Sequence, residues 1–181
     1  MGGDQSRVTT PYEGTGHSPW DPAAPIDAPL QLHRTTVSAQ WVDYNGHMSE
    51  SCFLLVFGDS ADAFFRLLGI DEDYRAAGRS LFTAQTHLHH RGQASEGDVL
   101  DLSLQVLDHD DTRVHLYHEM RGDGALLAAA EQMLVHVDTR AGRSAPMALE
   151  LLDRVRAVRR AHAILPTPAL VGRPLAIRHR R

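Results

Sequence analysis

The chain has 181 residues, 43% of them apolar, and a net charge of −5. That is enough for one domain with its own core, and too ordinary a composition for a fibrous or disordered protein. No apolar run approaches the roughly 20 residues that cross a bilayer, and Cys52 is the only cysteine, so no internal disulfide can form. With no apolar signal core in the first residues, the expectation is a cytoplasmic protein that does not engage a membrane.

Charge is spread unevenly. All 18 basic residues are Arg. Residues 154–181 carry eight Arg and no acid, whereas residues 30–153 carry nine Arg against 19 acids. A basic tail suits phosphates or an acidic partner face. No aromatic residues interleave with these Arg, which favours a solvated tail and argues against nucleic acid.

In chain order, residues 1–29 hold five Pro and several Gly without periodicity and read as a disordered arm. Leu32 to Val42 reads as a strand. From about Glu50 to Leu68, Phe53, Leu54, Phe57, Ala61, Phe64, Phe65 and Leu68 recur at three- and four-residue spacing, which predicts a helix with one wide apolar face. Ser49 or Ser51 is placed to cap it, and Gly69 to end it. Asp71 to Gly78 reads as a short acidic helical connection.

Four strands are predicted next, over Ser80–Arg91, Val99–Asp108, Thr112–Arg121 and Ala125–Asp138. In the third, Val114, Leu116, His118 and Met120 alternate with Arg113, His115, Tyr117 and Glu119. Short polar turns make the last three an antiparallel meander. A second helix is expected over about Ala148 to His162, closing a domain that spans 30–162. Residues 163–181 read as an irregular basic tail. The class is therefore α+β. One helix cannot cover both faces of such a sheet, and its outer strands would be bare edges, so self-association is expected.

The stretch Asp43-Tyr44-Asn45-Gly46-His47-Met48 carries the chemistry. It puts a carboxylate and a glycine turn directly before a helix start, where unpaired backbone N–H groups and the positive dipole end suit a carbonyl or a developing oxyanion. Asp43 is the candidate base or nucleophile, against the plainer role of a turn residue. His47 is a candidate to orient it, and Asn45 suits a positive φ before Gly46. Trp41 and Tyr44 flank the carboxylate and are the candidate substrate-pocket residues, with Asn45 beside them.

Strand, Asp-x-Asn-Gly-His-Met, long helix and meander together resemble the hotdog-fold acyl-CoA thioesterases, in particular the 4-hydroxybenzoyl-CoA thioesterase group, over about residues 31–155. The stretches Gly46–Ser51, Leu54–Asp59 and Ala130–Asp138 look closest to the thioesterase-like proteins and fused domains that accompany carnitine dehydrogenase. The resemblance implies an antiparallel sheet wrapped around the long helix and two subunits joined edge to edge, as a dimer or a dimer of dimers. It implies a catalytic carboxylate at Asp43, close backbone approach to the acyl group at Gly46, and helix-start amides at Met48, Ser49 and Glu50. It also implies a short acyl-CoA substrate, betainyl-CoA in the subgroup, with coenzyme A entering as part of the substrate and no cofactor. The chain departs from many relatives in the Ser49-Glu50-Ser51 stretch and in His87-Leu88-His89-His90-Arg91-Gly92.

Other residues carry alternative readings. Glu50 and Asp59 are alternative carboxylates, since some hotdog enzymes place the acid on the central helix. His87, His89, His90, His115 and His118 invite a metal, but no ligand spacing supports one, and none is expected. Cys52 falls inside the helix, where a free Cys packs as a small core residue. Phe53, Phe57 and Tyr117 are further candidates for an acyl pocket, with ordinary core packing the plainer reading for Phe53 and Phe57. A hotdog enoyl-CoA hydratase is a rival activity, although its longer Asp–His signature is absent, and a non-catalytic acyl-CoA or partner-binding module is a second.

Overall fold

The computed structural model describes residues 9–17 and 19–177. The elements are β1 (Leu30–Thr36), α1 (Glu50–Leu68), α2 (Glu72–Ala76), β2 (Arg79–His90), β3 (Val99–His109), β4 (Arg113–Gly122), β5 (Ala125–Asp138), β6 (Arg143–Ser144) and α3 (Leu149–Ala161). The strands form one antiparallel sheet in the order β1-β3-β4-β5-β2, with β6 paired to β5. This is the hotdog arrangement: the β3-β4-β5 meander forms the middle of the sheet, and α1 lies in its concave face.

Helix α1 folds because its apolar residues form one stripe that the sheet can cover. Phe53, Val56, Phe57, Ala61, Phe64 and Leu68 are all buried. Gly69 adopts φ 86°, and its N–H bonds back to Arg66 and Phe65 carbonyls, which ends the helix in the left-handed region that glycine tolerates. The core has two parts. Around the C-terminal half of α1, Phe64, Leu68 and Ile70 pack with Leu104, Leu116, Leu134 and the α3 residues Leu151, Val155 and Val158. Around the N-terminal half, Met48, Phe53, Val56 and Phe57 pack with Leu100, Leu102, Met120, Ala128 and Ala130.

The first strand is shorter than its pattern suggests. After Thr36 the Val37 N–H turns to the Asp98 carbonyl, and residues Ala39–Trp41 form a single tight helical turn. Trp41 thus sits on a turn beside the helix start, not in the sheet. The two-residue strand β6 carries no periodicity and was not legible in the sequence.

The arm and tail both make contacts. Tyr12 Oη lies 2.8 Å from His33 Nδ1 and 3.2 Å from the Leu32 carbonyl, and the Gly14 amide donates to Glu72 at 2.9 Å. His17 pairs with Asp71, and Trp20 and Ile26 pack against the α3 side of the core. Residues 1–8 and 18 of the expected arm, and 178–181 of the tail, lie outside the described residues. Residues 165–177 run without regular structure across the convex face of the sheet, where the Gly172 amide donates to Glu131 at 2.7 Å.

Candidate active site

A small hairpin builds the loop. Val42 and Met48 form an antiparallel bridge, the Asp43 amide donates to the His47 carbonyl at 2.9 Å, and the Gly46 amide donates to the Asp43 carbonyl at 3.0 Å. Gly46 takes φ 78°, a conformation that L side chains adopt at a cost. A Cβ built there would meet nothing within 4 Å, so within the chain backbone conformation, not close approach, selects glycine. Asn45 does not have a positive φ; its contribution is its backbone N–H, which donates to Asp43 Oδ1 at 2.7 Å. That bond holds the carboxylate, and the His47 ring makes no hydrogen bond among the described residues. Among the described residues the contact to the Asp43 carboxylate comes from the Asn45 amide and not from His47.

The loop is tied directly to the helix start. The Ser49 amide donates to the Trp41 carbonyl at 2.8 Å and the Met48 amide to the Ala94 carbonyl at 2.7 Å. These bonds correct the expected set of oxyanion donors: Met48 and Ser49 are already used, because they hold the hairpin against the sheet. Ser49 is the N-cap residue and makes no side-chain cap bond, its Oγ lying 3.3 Å from Ser51 Oγ instead. The Cys52 amide bonds to the Ser49 carbonyl at 2.9 Å. This leaves the Glu50 and Ser51 amides as the first N–H groups of the helix with no partner among the described residues, one residue beyond the Ser49–Trp41 bond. Glu50 itself is exposed in the first turn.

The flanking aromatics differ. Trp41 is half-buried and packs on the N-terminal part of the core. Tyr44 is 97% exposed and encloses nothing within the chain. Asn45 and Gly46 are exposed as well, while Asp43 and His47 are half-buried. In a single chain the site is an open rim.

Asp59 belongs to a different place. It lies nine residues beyond Glu50, about 14 Å further along the helix axis. It is only 8% exposed, and burial, helped by the nearby Asp62 charge, raises its pKa to about 6. Its neighbours are on the arm side, since its charge also raises the pKa of Tyr12. Within the chain it stands too far along the helix to meet a carbonyl held at the Glu50 amide.

The histidines do not converge. The His90 ring stands 4.9 Å from Phe53 under α1, while His87 and His89 alternate onto the convex face. His115 bonds Glu131 at 2.8 Å. Among the described residues no group of three or more His, Cys, Asp or Glu is placed to hold a metal. Tyr117 is buried, and that burial, with Glu119 and Glu131 nearby, raises its pKa to about 12.

A polar row in the core has no counterpart in the sequence reading. His118 is fully buried on β4, its Nδ1 3.3 Å from Ser60 Oγ on α1, and Gln132 Nε2 donates to Thr86 Oγ1 at 3.3 Å. His118 Nε2 and Gln132 Oε1 are buried without a well-aligned hydrogen bond. Burial lowers the His118 pKa to about 4, so the ring is neutral. The strand alternation points His118 inward, but nothing local signals that Ser60 and Gln132 meet it.

Comparison with known proteins matches this architecture. The family model described as the thioesterase-like superfamily covers residues 37–155. A betainyl-CoA thioesterase of Pseudomonas aeruginosa is 42% identical over 151 residues, covering 82% of this chain and 95% of that protein. The L-carnitine dehydrogenase/betainyl-CoA thioesterase of Rhizobium meliloti is 41% identical over 156 residues, covering 84% of this chain; the chain spans 32% of that longer protein. A Staphylococcus aureus protein solved in complex with CoA superposes with a TM-score of 0.78 at 23% identity, covering 86% of this chain and 100% of that one. A 1,4-dihydroxy-2-naphthoyl-CoA thioesterase from Synechocystis gives a TM-score of 0.63 at 16% identity, covering 68% of this chain and 93% of that one. These last two likenesses concern the fold. The sheet-wrapped helix, the hairpin that precedes it and the family match over most of the domain lead to one assignment: the chain belongs to the thioesterase-like superfamily.

Proposed function

We propose that the protein hydrolyses a short acyl-CoA thioester to the free acid and CoA, with Asp43 as the catalytic carboxylate. The observation that carries this is the junction itself: a carboxylate fixed by the Asn45 amide at 2.7 Å, on a hairpin bonded through Ser49 to Trp41, beside the unpartnered Glu50 and Ser51 amides. A thioester carbonyl oxygen accepting from those amides becomes more electrophilic, and the negative charge that grows on it during attack is stabilised where it forms. Asp43 then either attacks the carbonyl carbon, releasing CoA thiolate and leaving an anhydride for water to cleave, or takes a proton from the attacking water. Both routes consume one water and yield acid and thiol. No metal or cofactor enters either route.

Betainyl-CoA is the proposed substrate. Two relatives at 41% and 42% identity carry that activity in their names. A trimethylammonium head gains roughly 0.5–2 kcal/mol on each well-placed aromatic face, and Trp41 and Tyr44 flank the carboxylate. Tyr44 needs a second surface to become part of a wall. A second copy of the chain supplies it in this reading. The free edge of β2, where Phe82 is 54% exposed, is where two sheets would join. The single free Cys52 fits a reducing, cytoplasmic setting. No helix among the described residues is long and apolar enough to cross a membrane.

The test is thiol release from a panel of betainyl, acetyl, benzoyl and longer CoA thioesters. The panel includes 3,3-dimethylbutanoyl-CoA, the uncharged isostere of the betainyl thioester. Release fastest from betainyl-CoA supports the reading, and equal rates for the two isosteres count against an aromatic cage. Absence of thiol release from every member would sink the hydrolase assignment. Light scattering of the eluting protein checks the second copy; a monomer at assay concentration removes it.

A further inference from the structure

The basic C-terminal segment does more than lie on the sheet. Where it crosses the convex side of β2 it encloses a groove of about 450 Å3, lined by His87, His89, Arg91, Leu170, Arg173 and Leu175, with neighbouring backbone. That volume is within the range of small-molecule sites. No Asp or Glu lines it. Seven other arginines, Arg34, Arg66, Arg75, Arg113, Arg121, Arg154 and Arg156, each pair with a carboxylate. Among the described residues Arg91 makes no ion pair or side-chain hydrogen bond, and Arg173 bonds only the Ala169 carbonyl at 2.6 Å. His89 Nε2 is buried there with no hydrogen-bond partner. Two unneutralised guanidinium groups and an unpaired ring nitrogen thus meet in one concavity of an otherwise acidic protein.

The groove is adjacent to the candidate site through the backbone. His90, between His89 and Arg91, turns its ring the other way, 4.9 Å from Phe53 in the first turns of α1. Three residues beyond Arg91, the Ala94 carbonyl holds the Met48 amide at 2.7 Å. A flexible molecule passing around the end of β2 at Arg91 and Gly92 can therefore reach both places. The segment from Leu170 to Ala176 lies outside the residues 37–155 matched by the family model, whereas His87 to Arg91 lie within them.

We propose that this groove binds the phosphorylated nucleotide end of the CoA thioester, its phosphates held by Arg91 and Arg173 and its adenine lying on Leu170 and Leu175. Paired guanidinium groups suit phosphate oxygens in geometry as well as charge. This assignment rests on the acyl-CoA reading above. It also gives Arg173 of the tail a role, bringing positive charge to a polyanionic substrate on an acidic body.

The test compares wild type with the Arg91→Gln/Arg173→Gln double variant in two assays. In the first, kcat/KM is measured for one acyl group presented as the CoA thioester and as the N-acetylcysteamine thioester, which lacks the nucleotide. The preference for the CoA form is expected to fall about tenfold per arginine removed, given the worth of charge-assisted hydrogen bonds. The truncated thioester reports whether the variant is folded. In the second assay, calorimetry measures binding of adenosine 3′,5′-bisphosphate, which requires no turnover. Binding by wild type that weakens by a similar factor in the variant supports the groove. An unchanged preference, or equal binding by the two proteins, overturns it. Should neither thioester release thiol while the bisphosphate still binds wild type alone, the hydrolase reading fails and the nucleotide site stands.

Discussion

Asp43 and Asp59 both lie on or beside α1, and their surroundings are opposite. Asp43 sits half-exposed on a hairpin at the helix start, fixed by one backbone amide and next to two more that lack partners among the described residues. Asp59 sits mid-helix, 8% exposed, with its pKa raised to about 6 by burial and by Asp62. A perturbed pKa is the usual flag for function, and by that flag alone Asp59 would be chosen. The proposed mechanism reverses the choice. Thioester hydrolysis needs a donor for the carbonyl oxygen as well as a nucleophile, or a base that activates water, at the carbon, and only the helix start offers both. Mid-helix N–H groups are spent on the i→i−4 ladder.

The largest expected effect separates the two carboxylates by activity. Asp43→Asn is expected to lower kcat about 10^2–10^4-fold with little change in thermal stability, whereas Asp59→Asn leaves kcat within a few-fold. Near-full turnover in the Asp43 variant would return the catalytic role to Asp59 or Glu50.

Next is acid stability, which tests the core behind the site. A neutral buried His118 with pKa lowered to about 4 keeps the folded state from taking a proton that the unfolded chain binds near its ordinary value of 6.5. Its stabilising effect is therefore present above pH 6.5 and is lost as pH falls from 6.5 to about 4, by about 3 kcal/mol at most. Urea unfolding across that range should show a shallower slope in His118→Gln than in wild type. Identical slopes would mean the ring is not held neutral.

Asp59 gives a somewhat smaller effect of the other kind. Its raised pKa means the folded state prefers the protonated form, so its penalty is absent below about pH 4 and complete above about pH 6. Asp59→Asn is expected to stabilise the protein by at most about 2–3 kcal/mol at about pH 7.5 and by nothing at about pH 3.5, read as unfolding free energies. The smallest effect concerns the hairpin. Gly46→Ala forces an L residue to φ 78° in open space, costing about 1 kcal/mol. Its signature is a modest fall in melting temperature with a larger fall in kcat, because the same strain displaces Asp43. A melting temperature that drops while kcat holds would show that the turn and the carboxylate are mechanically separate.

Much of the fold was readable in the sequence. The helix boundaries Glu50–Leu68, the strand Ala125–Asp138 and the glycine stop at Gly69 follow from local periodicity and capping, because each depends on residues within one or two turns of one another. The position of Asp43 three residues before Gly46, at the mouth of a helix, was equally local. What the tertiary structure decided was which groups remain free. Met48 and Ser49 look like available donors until Ala94 and Trp41, brought in by the sheet and the turn, take their protons. Asp59 looks like any helical acid until tertiary packing buries it, and Arg91 and Arg173, 82 positions apart by their numbers, share a groove only because the tail folds back over β2. Local sequence sets where amides and charges stand along the chain. Whether each is paired, buried or open depends on partners far away in sequence, and that is fixed only when the sheet closes around the helix.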